Sequence, residues 1–298
     1  MTFNLKSYLK EKREVVDKGL RQVFRDGSNC PSALWKSMKY SVFAGGKRLR
    51  PILALASGQA VGLPDKESLR IACALELIHT YSLIHDDLPA LDNDDYRRGF
   101  KTNHKVFGEA MAILAGDGLL TLAFEWVSRP QAYGAQFRKN LPQMVTELAH
   151  YAGYHGMVGG QVDDVLSERK IPKLAKVLSI HRRKTGALLL SSVRLPALLA
   201  GASASKVKAL TRYGQSAGLA FQIVDDVLNE TGDSKKMGKS SGSDRERGKM
   251  TYPAAVGLEK SGQEITRLTF DAVRVLKLFG SKAEPLRALA LHMAERSN

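Results

Sequence analysis

The segment IACALELIHTYSLIH, residues 71–85, sets Ile71, Leu75, Ile78 and Ser82 at three- and four-residue spacing, and Leu77, Tyr81 and Ile84 form a second apolar row. This spacing predicts a helix, and two apolar rows predict one buried over most of its circumference. Runs of the same character recur in MAILAGDGLLTLAFEWV, GALLLSSVRLPALLAG, AGLAFQIVDDVLNE and the final EPLRALALHMAERS. Sustained period-two alternation is missing, and no Asn-Gly or Asp-Gly pair joins such stretches into a hairpin. The pattern predicts an all-α fold of long helices stacked around a common core. No stretch reads as an interdomain linker and no fixed period repeats, so a single domain over residues 1–298 is expected. Two segments read as loops: SRPQAYGAQFRKNLP near 128–142, and the charged, Gly- and Ser-rich TGDSKKMGKSSGSDRERGK at 231–249.

Composition narrows the setting. With 298 residues and 44% apolar content the chain can bury a proper core, which excludes a disordered charged tail. Cys30 and Cys73 lack metal-ligand or CxxC spacing and read as reduced core thiols in apolar helical surroundings, as expected of a cytoplasmic protein. The N-terminal MTFNLKSYLKEKREVV has no signal-peptide core, and no later stretch is expected to approach the roughly 20 apolar residues that span a bilayer. Lys plus Arg outnumber Asp plus Glu 45 to 30, a net charge of +15 that calls for an anionic partner: nucleic acid, a membrane surface or a phosphorylated small molecule. Aromatics are only 7% and sit mostly inside apolar runs, whereas nucleic-acid binders interleave exposed aromatics with a basic stripe, so no nucleic acid is expected.

The candidate chemistry begins in HDDLPALDNDDYRRG, residues 85–99. Pro89 should stop the preceding helix near Leu88, which leaves Asp86 and Asp87 in its last turn. Acids are disfavoured there by the helix dipole, and Asp92, Asp94 and Asp95 add like charges within a few residues. A hard cation such as Mg²⁺ resolves the conflict, since it binds through carboxylates and shares its remaining positions with water and phosphate. Arg97 and Arg98 carry forked donors suited to that phosphate. A second set lies in FQIVDDVLNETGD: Gln222, Asp225 and Asn229 fall on one helix face, with Asp226 beside them. Further cations come from Lys47, Arg48 and Arg50 in GGKRLRP, from Lys184 in HRRKTG, and from Lys239 and Lys249. Other phosphate devices fail: SVFAGGKRL lacks the P-loop's first glycine and its Ser or Thr, no strand precedes a GxGxxG, and the Asp92–Arg97 stretch lacks an EF-hand's glycine.

Taken in order, GGKRLRP, HTYSLIHDDLPALDNDDYRRG, TNHKVFGEAMAILAGDGLL, GMVGGQ, HRRKTGAL, GLAFQIVDDVL and GKMTYP resemble the trans-isoprenyl diphosphate synthases over about residues 40–258. Pro89 and Ala90 inside the first motif resemble bacterial farnesyl diphosphate synthases and also many geranylgeranyl diphosphate synthases. The resemblance implies a helical bundle around a central active-site cavity, where isopentenyl diphosphate is condensed with an allylic diphosphate, dimethylallyl or geranyl. It implies magnesium, three ions per site, held by Asp86, Asp87 and Asp92 on one side and Asp225 on the other. Arg97, Lys184 and Lys249, with Lys239 assisting, would complete the allylic diphosphate site. Lys47, Arg50, His79 and Arg98 would hold isopentenyl diphosphate, and Thr185 and Gln222 would point oxygens at the allylic cation. The departing diphosphate can take the final proton, so no protein base is needed. His79 lies seven residues before Asp86 on the same helix face; His85, His104, His150, His155, His181 and His292 read as structural. Tyr81 and Ser82, five and four residues before Asp86, correspond to the floor of the prenyl tunnel; a tyrosine there implies a farnesyl product, a smaller residue geranylgeranyl. A homodimer is the expected assembly. Two departures are Asn229, where the family's last aspartate is usual, and Lys101, where proline is frequent. A non-catalytic partner subunit would lack the paired aspartates, which are present here.

Overall fold

A computed structural model of the chain describes residues 3–25, 29–232 and 248–295. Its framework is helical: α1 (Leu5–Val23), α2 (Ser32–Phe43), α3 (Leu49–Val61), α4 (Asp65–Asp86), α5 (Asn103–Phe107), α6 (Glu109–Ser128), α7 (Ala135–Arg138), α8 (Leu141–Ala152), α9 (Met157–Val165), α10 (Leu174–Ile180), α11 (Gly186–Leu199), α12 (Ala204–Thr231), α13 (Tyr252–Val256), α14 (Leu258–Arg274) and α15 (Glu284–Ala294). A π-helical turn, His181–Thr185, joins α10 to α11, and a 3₁₀ segment, Val275–Ala283, joins α14 to α15.

α4 lies at the centre, and both of its apolar rows are buried. It starts six residues before Ile71, directly after Pro64, because a proline ahead of the first turn costs no helical hydrogen bond. It ends at Asp86 with Asp87 as its C-cap, close to the stop expected from Pro89. One face of α4 packs along α6 and the other against α3. α11 packs against both α3 and α12, and the two acidic motifs lie on different helices, α4 and α12, of one all-α bundle.

Four expectations need correction. A two-strand hairpin exists, β1 (Tyr96–Arg97) with β2 (Phe100–Lys101). Its strands are too short for any alternation, and its turn uses Arg98 and Gly99, both at positive φ, as a two-residue hairpin turn of the primed kind requires. The segment near 128–142 is not an open loop, for it holds a 3₁₀ turn at Pro130–Ala132 and α7 before α8 begins. Cys30 lies half-buried in the turn before α2, so only Cys73 is a core thiol. Finally, α6 is long and apolar enough to cross a membrane by length and composition, with mean hydropathy 1.5. Helices buried in a soluble bundle pass the same test, and only a third of α6 is buried within the chain.

Candidate active site

The first motif forms a compact loop at the C-terminal end of α4. The Asp92 amide donates to the Asp86 carbonyl at 2.7 Å, and the Leu91 and Asn93 amides donate to the Leu88 carbonyl, so the chain doubles back and brings Asp92 beside Asp86. Burial pushes the Asp86 carboxyl up, and the neighbouring Asp92 pushes it the same way against the pull of Lys184, Arg97 and Lys249. Asp87 is buried and accepts from Arg97 Nε at 2.6 Å. Arg97 also meets Asp94 at 3.3 Å, and although burial opposes its charge, the hydrogen bond to Asp87 holds its pKa above the ordinary arginine range.

The second motif is joined to the first by two short segments. In the π turn, His181 meets the buried Asp226 carboxylate at 3.1 Å, while Lys184 lies in the field of Asp86 and Asp92. In the segment entering α13, Lys249 Nζ donates to Asp92 Oδ1 at 3.1 Å and the Tyr252 amide donates to Asp226 Oδ2 at 2.7 Å. Asp226 is thus the structural member of its pair, and Asp225 is the exposed one. Gln222 Nε2 donates to Asp226 Oδ1 at 3.1 Å, which leaves the amide oxygen directed away from that carboxylate. Asn229 is buried, a place where an amide costs less than an ionised carboxylate. Thr185 closes the π turn, the kind of helix irregularity that recurs at functional sites.

Lys184 reveals a residue the sequence reading missed. Its Nζ donates at 2.6 Å to Oδ2 of Asp164, a buried carboxylate on α9. Burial alone would lower the lysine, but Asp164, with Asp86 and Asp92 behind it, raises its pKa. The acid pair after GMVGGQ was the available signal; Asp163 takes the structural part, binding Lys176 and Arg183.

A separate basic group gathers where the loop before α3 meets α4 and the hairpin. Arg50 Nη1 lies 3.2 Å from His79 Nε2. Burial, then the charges of Arg50, Arg98, Arg97 and Arg48, hold the imidazole well below its usual pKa, so it is neutral and accepts from Arg50. Burial also brings Arg50 down to about 10, which still leaves it charged. Arg98 donates to the Gly45 carbonyl and lies so close to Gly46 that a side chain there would meet the guanidinium. Lys47 is exposed beside them. Arg48, offered by sequence as one of these cations, is instead buried and bound to Asp17, Glu76 and the Val42 carbonyl. Tyr81 is buried on α4, and Ser82 Oγ donates to the His79 carbonyl at 2.9 Å. Lys239 lies outside the described residues.

Asp86, Asp92 and Asp225 offer only hard oxygen donors, and among the described residues no three metal-binding side chains close into a protein cage. Such a donor set fits magnesium, which takes one or two carboxylates and fills its other positions with phosphate and water. A wider depression lined by Asn140, Gln143, Lys208 and Arg194 lies between α8, α11 and α12, away from these groups; Arg194 there is already paired with Glu147.

Residues 31–274 match the polyprenyl synthetase family. The chain is 45% identical to geranylgeranyl diphosphate synthase of Cyanophora paradoxa, over 99% of this chain and 98% of that one. It is 44% identical to farnesyl diphosphate synthase of Bacillus subtilis, over 93% of each. The structure is similar to that of an FPP/GFPP synthase from Zymomonas mobilis, with TM-score 0.87, 33% identity and coverage of 98% and 99% of the two chains.

Proposed function

Because the chain belongs to the polyprenyl synthetase family of trans-isoprenyl diphosphate synthases, and so condenses isopentenyl diphosphate with an allylic diphosphate, we propose that it makes farnesyl diphosphate from dimethylallyl or geranyl diphosphate. The observation that carries this reading is Tyr81, a buried aromatic a little over one helical turn below Asp86, where it would stop a growing prenyl tail. Relatives of both product lengths stand at nearly equal identity, so likeness alone does not choose between farnesyl and geranylgeranyl.

The family uses magnesium, and here Asp86, Asp92 and Asp225 would hold it, three ions per site, with Asp87 assisting through the Arg97 pair. Bound magnesium neutralises charge that develops on the leaving diphosphate. Lys184, Lys249 and Arg97 donate to the same oxygens, and the sequence resemblance adds Lys239 to that set. The three described cations already rest on carboxylates, so they are oriented before substrate arrives. On the other side Arg50, Arg98 and Lys47 hold the isopentenyl diphosphate, and neutral His79 adds an uncharged hydrogen-bonding group. The double bond of isopentenyl diphosphate attacks C1 of the allylic cation while the Thr185 hydroxyl and the Gln222 amide oxygen face the positive charge. The new 1'-4 bond leaves a cation whose adjacent proton passes to the departing diphosphate.

We place the enzyme in the cytoplasm as a homodimer. The apolar, outward Ile113 and Leu114 of α6 support a second copy as their cover.

The test is a condensation assay with purified protein, Mg²⁺, labelled isopentenyl diphosphate and geranyl diphosphate, the products dephosphorylated and sized by chromatography. A fifteen-carbon product abolished by chelator is expected. A twenty-carbon product would overturn the chain length and keep the chemistry; no condensation with any allylic primer would turn suspicion on Asn229.

A further inference from the structure

Tyr81 does not hold its position alone. Its ring meets the His85 imidazole edge to face, with centroids 5.6 Å apart at 86°. His85 reaches in turn to α6, where Nε2 lies 3.1 Å from the Ile113 carbonyl oxygen and 3.9 Å from the Asp117 carboxylate. A carbonyl oxygen only accepts, so Nε2 carries the hydrogen, and that bond fixes both tautomer and ring plane. α6 also supplies the room: a methyl group on Gly116 would overlap the imidazole. Gly116 has helical backbone, so its small size is required by the approaching ring. Consecutive helical residues point about 100° apart, which turns His85 away from Asp86 toward α6.

The consequence falls on Tyr81. Its ring cannot rotate toward α6 without displacing a histidine whose Nε2 end is both hydrogen-bonded to the Ile113 carbonyl and seated against Gly116. Ser82 adds no barrier of its own, being small and turned back to the His79 carbonyl. We propose that His85 is a specificity-determining positioning residue: braced on the Ile113 carbonyl and seated on Gly116, it holds the Tyr81 ring across the path of the prenyl chain and so sets product length. The inference rests on the reading of Tyr81 as the tunnel floor. It also takes His85 out of the set of merely structural histidines.

The experiment compares product distributions of the wild type, Tyr81→Ala, His85→Ala, His85→Gln and His85→Phe, each with geranyl and isopentenyl diphosphates, after circular dichroism confirms folding. Tyr81→Ala tests the floor, and a longer product is expected. His85→Ala and His85→Gln remove the ring, and the share of product longer by one isoprene unit should rise about fivefold, the scale of one lost aromatic contact. His85→Phe keeps an aromatic edge without the donor and should fall between wild type and alanine. If Tyr81→Ala lengthens the product while both ring-deleting variants keep the wild-type distribution, the brace is overturned and the floor stands. If Tyr81→Ala leaves the product unchanged, or the wild type itself makes twenty carbons, the floor reading falls and the brace with it. Should His85→Ala fail to fold, His85→Gln tests the same ring contact.

Discussion

The buried Asp164 carboxylate holds the Lys184 ammonium 2.6 Å away, and its loss would leave that cation free to collapse onto Asp86 and Asp92. A charge-assisted hydrogen bond of this kind contributes about 1.5–3 kcal/mol. Asp164→Asn should therefore lower kcat/KM for the allylic substrate by roughly tenfold to a hundredfold, with the isopentenyl KM nearly unchanged. Asp163→Asn serves as the comparison in steady-state kinetics, since its partners are Lys176 and Arg183. His79 yields a prediction about pH. Burial and the surrounding arginines hold it well below its ordinary value, so the folded protein refuses a proton that the unfolded chain accepts below about pH 6.5. The unfolded state then binds more protons, and stability falls as pH drops through that range, by up to ~1.4 kcal/mol per unit from this group. Urea unfolding at pH 7 and at pH 5.5 should show a smaller acid loss in His79→Asn than in the wild type.

At the scale of elements, α9 and the π turn approach so closely that Gly160 has no space for a side chain: a Cβ there would overlap the Lys184 backbone. Gly160→Ala should cost about 1–3 kcal/mol through overpacking and displace the turn that carries Lys184 and Thr185. Differential scanning calorimetry should show a Tm lower by several degrees, and kinetics a raised KM for the allylic diphosphate. The same contact shows what was legible in advance. The rows of α4 and its end near Pro89 follow from spacing and proline stereochemistry, whereas its polar first turns, six residues ahead of Ile71, lie outside the apolar pattern; both acidic motifs announce themselves as charge on apolar helices. The hairpin left no trace because two-residue strands have no period, and the π turn none because its altered hydrogen bonding leaves the side-chain pattern helical. Charge and spacing alone do not separate Arg48 from Arg50, and the family resemblance singles out Arg50; the fold supplies the reason, since Glu76 and Asp17 claim Arg48 and leave Arg50 beside His79. Asp164 escaped because its partner lies twenty residues away.

For the whole molecule, the question is what covers the outward side of α6. Ile113 and Leu114 are 45% and 53% exposed on a helix whose composition is that of a buried one. Val158 and Val162 on α9, spaced one turn apart, add further exposed apolar surface. Contiguous apolar patches beyond a few hundred Å² are uncommon on monomers and mark interaction surfaces. A stable dimer buries on the order of 1,600 Å² in total, a modest share of the 14439 Å² that one chain exposes. Against this stand the 45 Lys and Arg residues and the net charge of +15, which make two copies repel at long range. A dimer, as proposed, would therefore rest on short-range apolar burial and should tighten as salt screens the charge. Sedimentation equilibrium should give a species of about twice 32.7 kDa, with a dissociation constant that falls between low salt and 0.3 M salt. Leu114→Asp places an unpaired carboxylate in the contact and should shift the species to monomer. A wild-type chain that sediments as a monomer at every salt concentration would remove the dimer and leave the exposed side of α6 to a different partner.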